Sequence, residues 1–400
     1  MRAWFRSLIF DHMSWPVRLF AGLMHGALAV WLTSLLFDLS PSVRLAVFVV
    51  PTFAILPVMS FSAPVHGRGR SIPGVRQIVL ELAFGGVLLG GAVVASSLLA
   101  ALADSLFPAA WANGPAAPVT TNAFTQIVVG LTATTLLWGF AIGRQQREQR
   151  RVQLPPIRTA CSPRDLSIVH LSDLHLGNGM TARHVHELAD EVAALEPDLI
   201  VFTGDLFDQR QDVIDECTQA LAAFDAPFGV FAILGNHDIY TGPDLIAAAL
   251  SRHAPSLHLL RNSVFYIEQL DLWIAGLEDF GDAWSGGDSD RPVLQELARD
   301  VGDPAQTLLL VHRPEAIVPA SELGFRVVLA GHYHGGQLAI PGSNGRANVA
   351  SALTPYNRGL HHLGDSSLYV SSGLGTAGPR LRVACPTEIA IHTTRIGSST

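Results

Sequence analysis

Four apolar runs, each close to the length that crosses a bilayer core, fill the first third of the chain: residues 17–37, 43–61, 78–103 and 124–142. A helix crossing the hydrocarbon needs about 20 apolar residues, and core helices of soluble proteins are rarely so long or so uniform. The runs predict a transmembrane domain over 1–143 with four transmembrane helices. The second run contains Pro51 and Pro57 and is the least regular of them. The first begins late and lacks a small-residue cleavage site before a soluble protein, so a removed signal peptide is not expected.

Arginine placement predicts orientation. Arg2, Arg6 and Arg18 lie at the N-terminus, Arg68, Arg70 and Arg76 in the second loop, and Arg144, Arg147, Arg150 and Arg151 after the fourth run. The first loop has only Arg44, and residues 104–122 have no Arg. The positive-inside rule then puts both ends in the cytoplasm. Apart from Arg18 and Arg44 at their edges, the runs hold the ionisable residues His25 and Glu81, which form no polar path suited to transport.

The rest of the composition narrows the function. Only 15% of residues are charged, against about 25% in an ordinary soluble domain. Acidic residues crowd into 160–400, and all 26 basic residues are Arg, which excludes Lys-based catalysis. A net charge of −8 argues against nonspecific nucleic-acid binding. Cys161, Cys217 and Cys385 form neither a disulfide framework nor a CxxC zinc site.

An Arg-rich linker is expected over 144–160, and a second domain over 161–400. There, short apolar runs at 166–171, 199–202, 230–234, 264–267, 272–277, 307–311, 326–330, 338–340, 367–371 and 388–392 read as strands. Amphipathic stretches at 184–195, 213–224 and 244–250 read as helices. The alternation implies α/β architecture, a sheet covered by helices. The later strands imply a second sheet or an antiparallel extension.

Five strand ends carry metal-ligand residue types. They are Asp173-Leu174-His175, Gly204-Asp205, Gly235-Asn236-His237-Asp238, His312 and Gly331-His332-Tyr333-His334. Alone, Asp173 reads as a cap or turn residue and His312 as a buried, satisfied histidine; the ordered set reverses both readings. Ligands of open α/β sheets gather beyond the carboxyl ends of strands. Residues at i and i+2 of an extended segment point the same way, so Asp173 with His175, and His332 with His334, are expected to share a cavity. Gly204, Gly235 and Gly331 are expected where the chain turns sharply. The mixture of carboxylate, imidazole and amide suits Mn, Fe, Zn or similar ions rather than Ca. Two ions about 3.5–4 Å apart would clamp phosphoryl oxygens, which points to phosphoester hydrolysis. Arg313, beside His312, is expected to touch a substrate phosphate through its bidentate fork.

In this order the motifs DLH, GDLFD, GNHD, the lone His and GHYH resemble the calcineurin-like metallophosphoesterase family, over residues 166 to 395. The stretches 331–337, 368–375 and 385–389 add a likeness to its membrane-anchored bacterial branch. The resemblance implies a four-layer α/β/β/α metallophosphoesterase sandwich behind the transmembrane bundle, with two divalent ions (Mn, Fe, Zn or Mg). It implies that Asp173, His175 and His334 hold the first ion, that Asn236, His312 and His332 hold the second, and that Asp205 bridges them. His237 would protonate the leaving oxygen or steady the phosphate, Asp238 would orient its ring, and Asp208 would support the loop. Tyr333 departs from the small hydroxyl residue this branch often has there.

The function so implied is a membrane-bound phosphoesterase of the bacterial inner (cytoplasmic) membrane, multi-pass, with its catalytic domain in the cytoplasm. Metal-activated water would cleave a phosphodiester, pyrophosphate or phosphomonoester. The anchor suggests a lipid or nucleotide-lipid substrate, and UDP-diacylglucosamine is an example because relatives in this superfamily act on such a pyrophosphate. The alternatives are a soluble substrate with the membrane only as an anchor, and a non-catalytic membrane sensor.

Overall fold

The computed structural model describes residues 15–35, 40–62, 73–106, 117–208, 210–281, 287–343, 345 and 347–397. The chain divides into two compact units, Met1–Ala141 and Ile142–Thr400.

In the first unit, α1 (Trp15–Ser34), α2 (Pro41–Ser62), α3 (Pro73–Leu106) and α4 (Ala117–Ala141) cover the four apolar runs, apart from 36 and 37, which lie outside the described residues. Two stretches are long and apolar enough to cross a membrane, Glu81–Leu102 and Ala123–Gln145. Among the described residues, two of the four expected spans thus meet the length and composition of a membrane crossing. The apolar stretches of α1 and α2, Leu19–Ser34 and Pro41–Ala54, are shorter. Small residues let these helices approach closely. A Cβ at Gly90 of α3 would stand 2.0 Å from the Met24 carbonyl oxygen of α1, and one at Gly22 would stand 2.3 Å from that of Thr52 of α2.

The second unit holds two mixed sheets. Its strands are β1 (Arg147–Gln153), β2 (Arg164–Leu171), β3 (Leu199–Thr203), β4 (Val230–Ile233), β5 (Leu257–Leu259), β6 (Ser263–Ile267), β7 (Leu272–Gly276), β8 (Thr307–Leu310), β9 (Val327–Ala330), β10 (Gly359–Leu363), β11 (Ser366–Val370) and β12 (Thr387–Ile396). One sheet has the order β1-β12-β2-β3-β4-β5 and the other β10-β11-β9-β8-β7-β6. Pairings β2–β3, β3–β4 and β4–β5 are parallel, as are β7–β8, β8–β9 and β9–β11. The late strands thus build a complete second sheet.

Strand alternation assigns each residue to a layer. Leu166, Ile168, Leu199, Val201, Phe231 and Ile233 face the second sheet's Ile274, Leu308, Leu310, Val327 and Leu329. The alternate residues Val169, Leu171, Ile200 and Phe202 pack with α5 (Ala182–Ala193), α6 (Ile214–Leu221) and, beyond the short α7 (Asn236–Thr241), α8 (Pro243–His253). On the far side, Leu309, Val311, Val328 and Leu368 pack with α9 (Arg291–Val301) and α10 (Ile317–Glu322). In α5 the buried Val185, Leu188, Ala189 and Val192 recur at the helical period, which is why this segment covers a sheet.

The stretch 144–160 is not the linker expected. Residues 147–153 form β1 and pair in parallel with 387–393 of β12. Its charged residues hid a strand that lies at the sheet edge, where alternate side chains stay exposed. Residues 338–340 form only isolated bridges, to Val383 and Asn348.

Candidate metal centre

The parallel strands bring their C-terminal ends to one place. Asp173 and His175 follow β2, Asp205 follows β3, Asn236, His237 and Asp238 follow β4, His312 follows β8, and His332 and His334 follow β9. Asp173 N–H donates to the Gly204 carbonyl and His175 N–H to that of Asp205, which ties the first two turns together.

Two donor clusters result. Asp173, His175 and His334 form one, and Asp205, His312 and His332 the other. In the first, His175 Nε2 and His334 Nε2 lie 3.0 Å apart, and His334 Nε2 lies 3.5 Å from Asp173 Oδ1. In the second, His312 Nε2 is 3.2 Å from His332 Nδ1 and 3.2 Å from Asn236 Oδ1. Asp205 Oδ2 stands between the clusters, 3.5 Å from His175 Nε2 and 3.2 Å from His312 Nε2.

The backbone differs from the extended geometry expected. Asp173, His175, Asp205, His332 and His334 all have positive φ, between 48° and 78°. This conformation is uncommon outside glycine, and such strain concentrates at functional sites. His332 and His334 turn their rings to different clusters, the division that the resemblance implied. Two of the glycines serve space rather than turning. A Cβ at Gly331 would stand 1.9 Å from Ser172 Oγ, and one at Gly235 would stand 2.3 Å from Asp205 Oδ1.

The donor set fits metal ions. Buried imidazole nitrogens at hydrogen-bond distance from one another share few protons, so cations complete them. His312 Nδ1 donates to the Thr203 carbonyl at 2.8 Å, leaving Nε2 its lone pair. His175 Nδ1 is buried without a hydrogen-bond partner, 3.7 Å from Asp208 Oδ2. Burial, followed by the charge of Arg313, lowers His332; burial, followed by His175, lowers His334. Burial also favours neutral His312, but Asp205 and Asp173 outweigh it and raise the ring to about 10 without metal.

The roles expected of Asp208 and Asp238 are exchanged. His237 Nδ1 bonds Asp208 Oδ1 at 2.9 Å, whereas the buried Asp238 carboxylate accepts the backbone N–H groups of Leu206, Phe207 and Gly235 at 3.1, 2.8 and 2.9 Å. Asp238, three residues past Gly235, caps its own turn and cannot also reach the ring. Burial opposes charge on His237, but the carboxylates of Asp205 and Asp208 prevail and raise it to about 9. Burial and Asp205 push Asp238 up to about 7.

Arg313 is not open to substrate as expected. Its Nε and Nη2 grip Asp279 at 2.6 and 3.4 Å, and both side chains are buried. The buried His170 bonds His392 Nε2 at 3.2 Å and Thr203 Oγ1 at 2.8 Å. Sequence reasoning missed Arg382. It is fully buried, donates to the carbonyls of Ser372 and Gly375 at 2.8 and 2.7 Å, and lies 3.3 Å from His334 Nδ1. Only the tail motif nearby hinted at it.

The calcineurin-like phosphoesterase family matches residues 166–336. A metallophosphoesterase of Aquifex aeolicus is 30% identical over 246 residues, covering 61% of this chain and 91% of that protein. The chain belongs to the calcineurin-like metallophosphoesterase family. A metallophosphoesterase of Campylobacter jejuni is 32% identical over 241 residues, covering 60% of this chain and 60% of that protein. A Danio rerio protein, described as a transmembrane protein with metallophosphoesterase domain, is 28% identical over 281 residues, 68% of this chain and 63% of its own length. The donor clusters lie within the matched residues.

Proposed function

We propose that the chain is a membrane-bound phosphoesterase with two metal ions. The observation that carries this is the position of Asp205 Oδ2 between two buried donor clusters. Asp173, His175 and His334 would hold one ion, Asn236, His312 and His332 the other, and Asp205 both. Mn, Fe, Zn or Mg suits these donors. Two such ions would supply charge for the phosphoryl oxygens and activate water as the nucleophile.

The chain's own groups do the rest. Without metal, the carboxylates of Asp205 and Asp208 outweigh burial and raise His237 to about 9. Asp208 holds its Nδ1, which leaves Nε2–H to protonate the leaving oxygen. Asp238 shapes the turn that presents Asn236 and His237.

The substrate would be a phosphodiester, pyrophosphate or phosphomonoester on a lipid or nucleotide-lipid, of which UDP-diacylglucosamine is an example. Two apolar helices and the transmembrane relative support that reading. Arginine placement supports a multi-pass protein of the bacterial inner membrane with its catalytic unit in the cytoplasm. A soluble substrate is the second reading. The complete donor set weighs against a non-catalytic sensor.

The test uses the purified full chain, Mn and bis-p-nitrophenyl phosphate. Turnover should vanish with EDTA and return with Mn, and Asp205→Asn should lower it on the order of a thousandfold. Inactivity with every metal, or an Asp205→Asn variant as active as the wild type, overturns the reading. For the lipid substrate, removal of 1–141, a cut that spares β1, should keep chromogenic turnover and reduce activity on micellar lipid. Equal lipid activity sinks that part.

A further inference from the structure

A second cavity lies behind the turn that carries His334. Its volume is about 430 Å³, and its walls include Glu148 and Arg150 of β1, Arg358, Gly342, Gly345 and Pro386. One backbone turn separates it from the metal centre. A Cβ at Gly335 would stand 3.2 Å from Arg358 Cδ and 2.7 Å from Cys385 Sγ.

Two guanidinium groups border this cavity in different states. Arg358 is nearly buried and pairs through Nη2 with Glu148 and, at 3.4 Å, with Glu388 Oε2. Its Nε is buried and has no hydrogen-bond partner. Glu388 is already held by Tyr369 and by Ser372 Oγ at 2.8 Å. Arg150 is half-buried, its charge acts on Tyr369, and among the described residues its guanidinium has no hydrogen bond or ion pair. Glu148 and Glu388 thus pair with Arg358, and the Arg150 guanidinium forms no ion pair among the described residues. A side chain at Gly345 would cover the Arg358 fork, since its Cβ would stand 2.2 Å from Nη1. A partly buried, unpaired guanidinium favours an anion, and its planar fork matches phosphate. The volume suits a small organic molecule better than a bare ion.

We propose that this cavity binds a phosphate-bearing small molecule or headgroup, held by Arg150 with Arg358, at a site separate from the metal centre. The phosphate could belong to a soluble ester or to a membrane lipid. Arg150 follows Gln145, the last residue of the second apolar stretch, by five positions, which makes the lipid source worth a separate arm.

The test uses the full chain in detergent or nanodiscs, stripped of metal, with sn-glycerol 3-phosphate followed by calorimetry. A second arm compares phosphatidylcholine nanodiscs with and without phosphatidic acid, followed by the protein's thermal midpoint. Arg150→Gln should weaken binding about tenfold or more. His237→Ala, at the metal centre, should leave it unchanged. Arg150-dependent binding of glycerol phosphate identifies a soluble ester as sufficient. Arg150-dependent stabilisation by phosphatidic acid alone identifies a lipid headgroup. The proposal is overturned if neither probe gives an Arg150-dependent signal, or if His237→Ala abolishes binding while Arg150→Gln does not. Arg150 is the variant of choice because it lies on an edge strand and holds no other side chain in place, so an unchanged circular dichroism spectrum is expected.

Discussion

The helical unit exposes its apolar side chains, whereas the sandwich unit buries its charged ones. Leu82, Leu131 and Leu137 of α3 and α4 are 70%, 65% and 71% exposed, while Asp173, Asp205, Asp238 and Arg382 are at most 1% exposed. Leucines in such number would be costly in water, and they suit a hydrocarbon solvent. Buried charges are costly unless paired or metal-bound, and here the sheets deliver them to each other. Each unit inverts the usual rule in its own way: the helices expose apolar surface that fits a hydrocarbon solvent, and the sandwich buries charge where its donors converge.

The largest effect tests the inward half of that contrast. His237→Ala should lower turnover by about a hundredfold to ten-thousandfold on esters with poor leaving groups. The loss should shrink with p-nitrophenolate, which leaves without a proton. An equal loss on both would remove His237 as the proton donor.

The outward half comes next. Leu131→Arg, in the middle of α4, should cost about 3 kcal/mol of insertion. Its membrane-bound fraction after centrifugation should fall, whereas wild-type levels there would break the comparison.

Asp208 and Asp238 sharpen the comparison within the site. Asp208→Asn should lower turnover by about tenfold to a hundredfold, because the His237 ring loses its orienting partner. Asp238→Asn should instead cost about 1–3 kcal/mol of stability, since the amide keeps one acceptor oxygen and sets an NH2 donor against backbone N–H groups that the other carboxylate oxygen accepted. Thermal midpoints and kcat for the two variants distinguish these outcomes, and a reversed pattern would restore the roles expected from the sequence.

The smallest effect concerns pH. Burial lowers His170 well below its ordinary value and His392 to about 3, so both are neutral in the fold. The unfolded rings bind protons below about pH 6.5. Stability from these groups is present above that pH and is lost as pH falls towards the folded values, at about 1.4 kcal/mol per pH unit for each ring. His392→Gln should make the acid side of the stability profile less steep in denaturant titrations at pH 6 and pH 5. An unchanged slope would exclude His392 as a source.

Local pattern alone determined a good deal. The helices of the first unit follow from uninterrupted apolar length, and the layers of the second from alternation along strands. The donor residues were legible because glycine and ligand types recur at strand ends, where an α/β sheet collects its site. Other features depended on partners far away in the chain. β1 looked like a charged linker because an edge strand is specified by its pairing with β12, more than 230 residues later. The left-handed backbone at His332 and His334 is what an extended-strand rule does not foresee, although the resemblance had already divided the two rings between the ions. Asp208, rather than Asp238, reached His237 because the turn after β4 consumes the carboxylate beside it. The same holds for Arg313, which Asp279 occupies, and for Arg382, whose burial shows only once the tail has folded under His334. Residue type and spacing specify which groups can meet, but which pairs do meet is decided by packing, because each donor and acceptor can be satisfied only once.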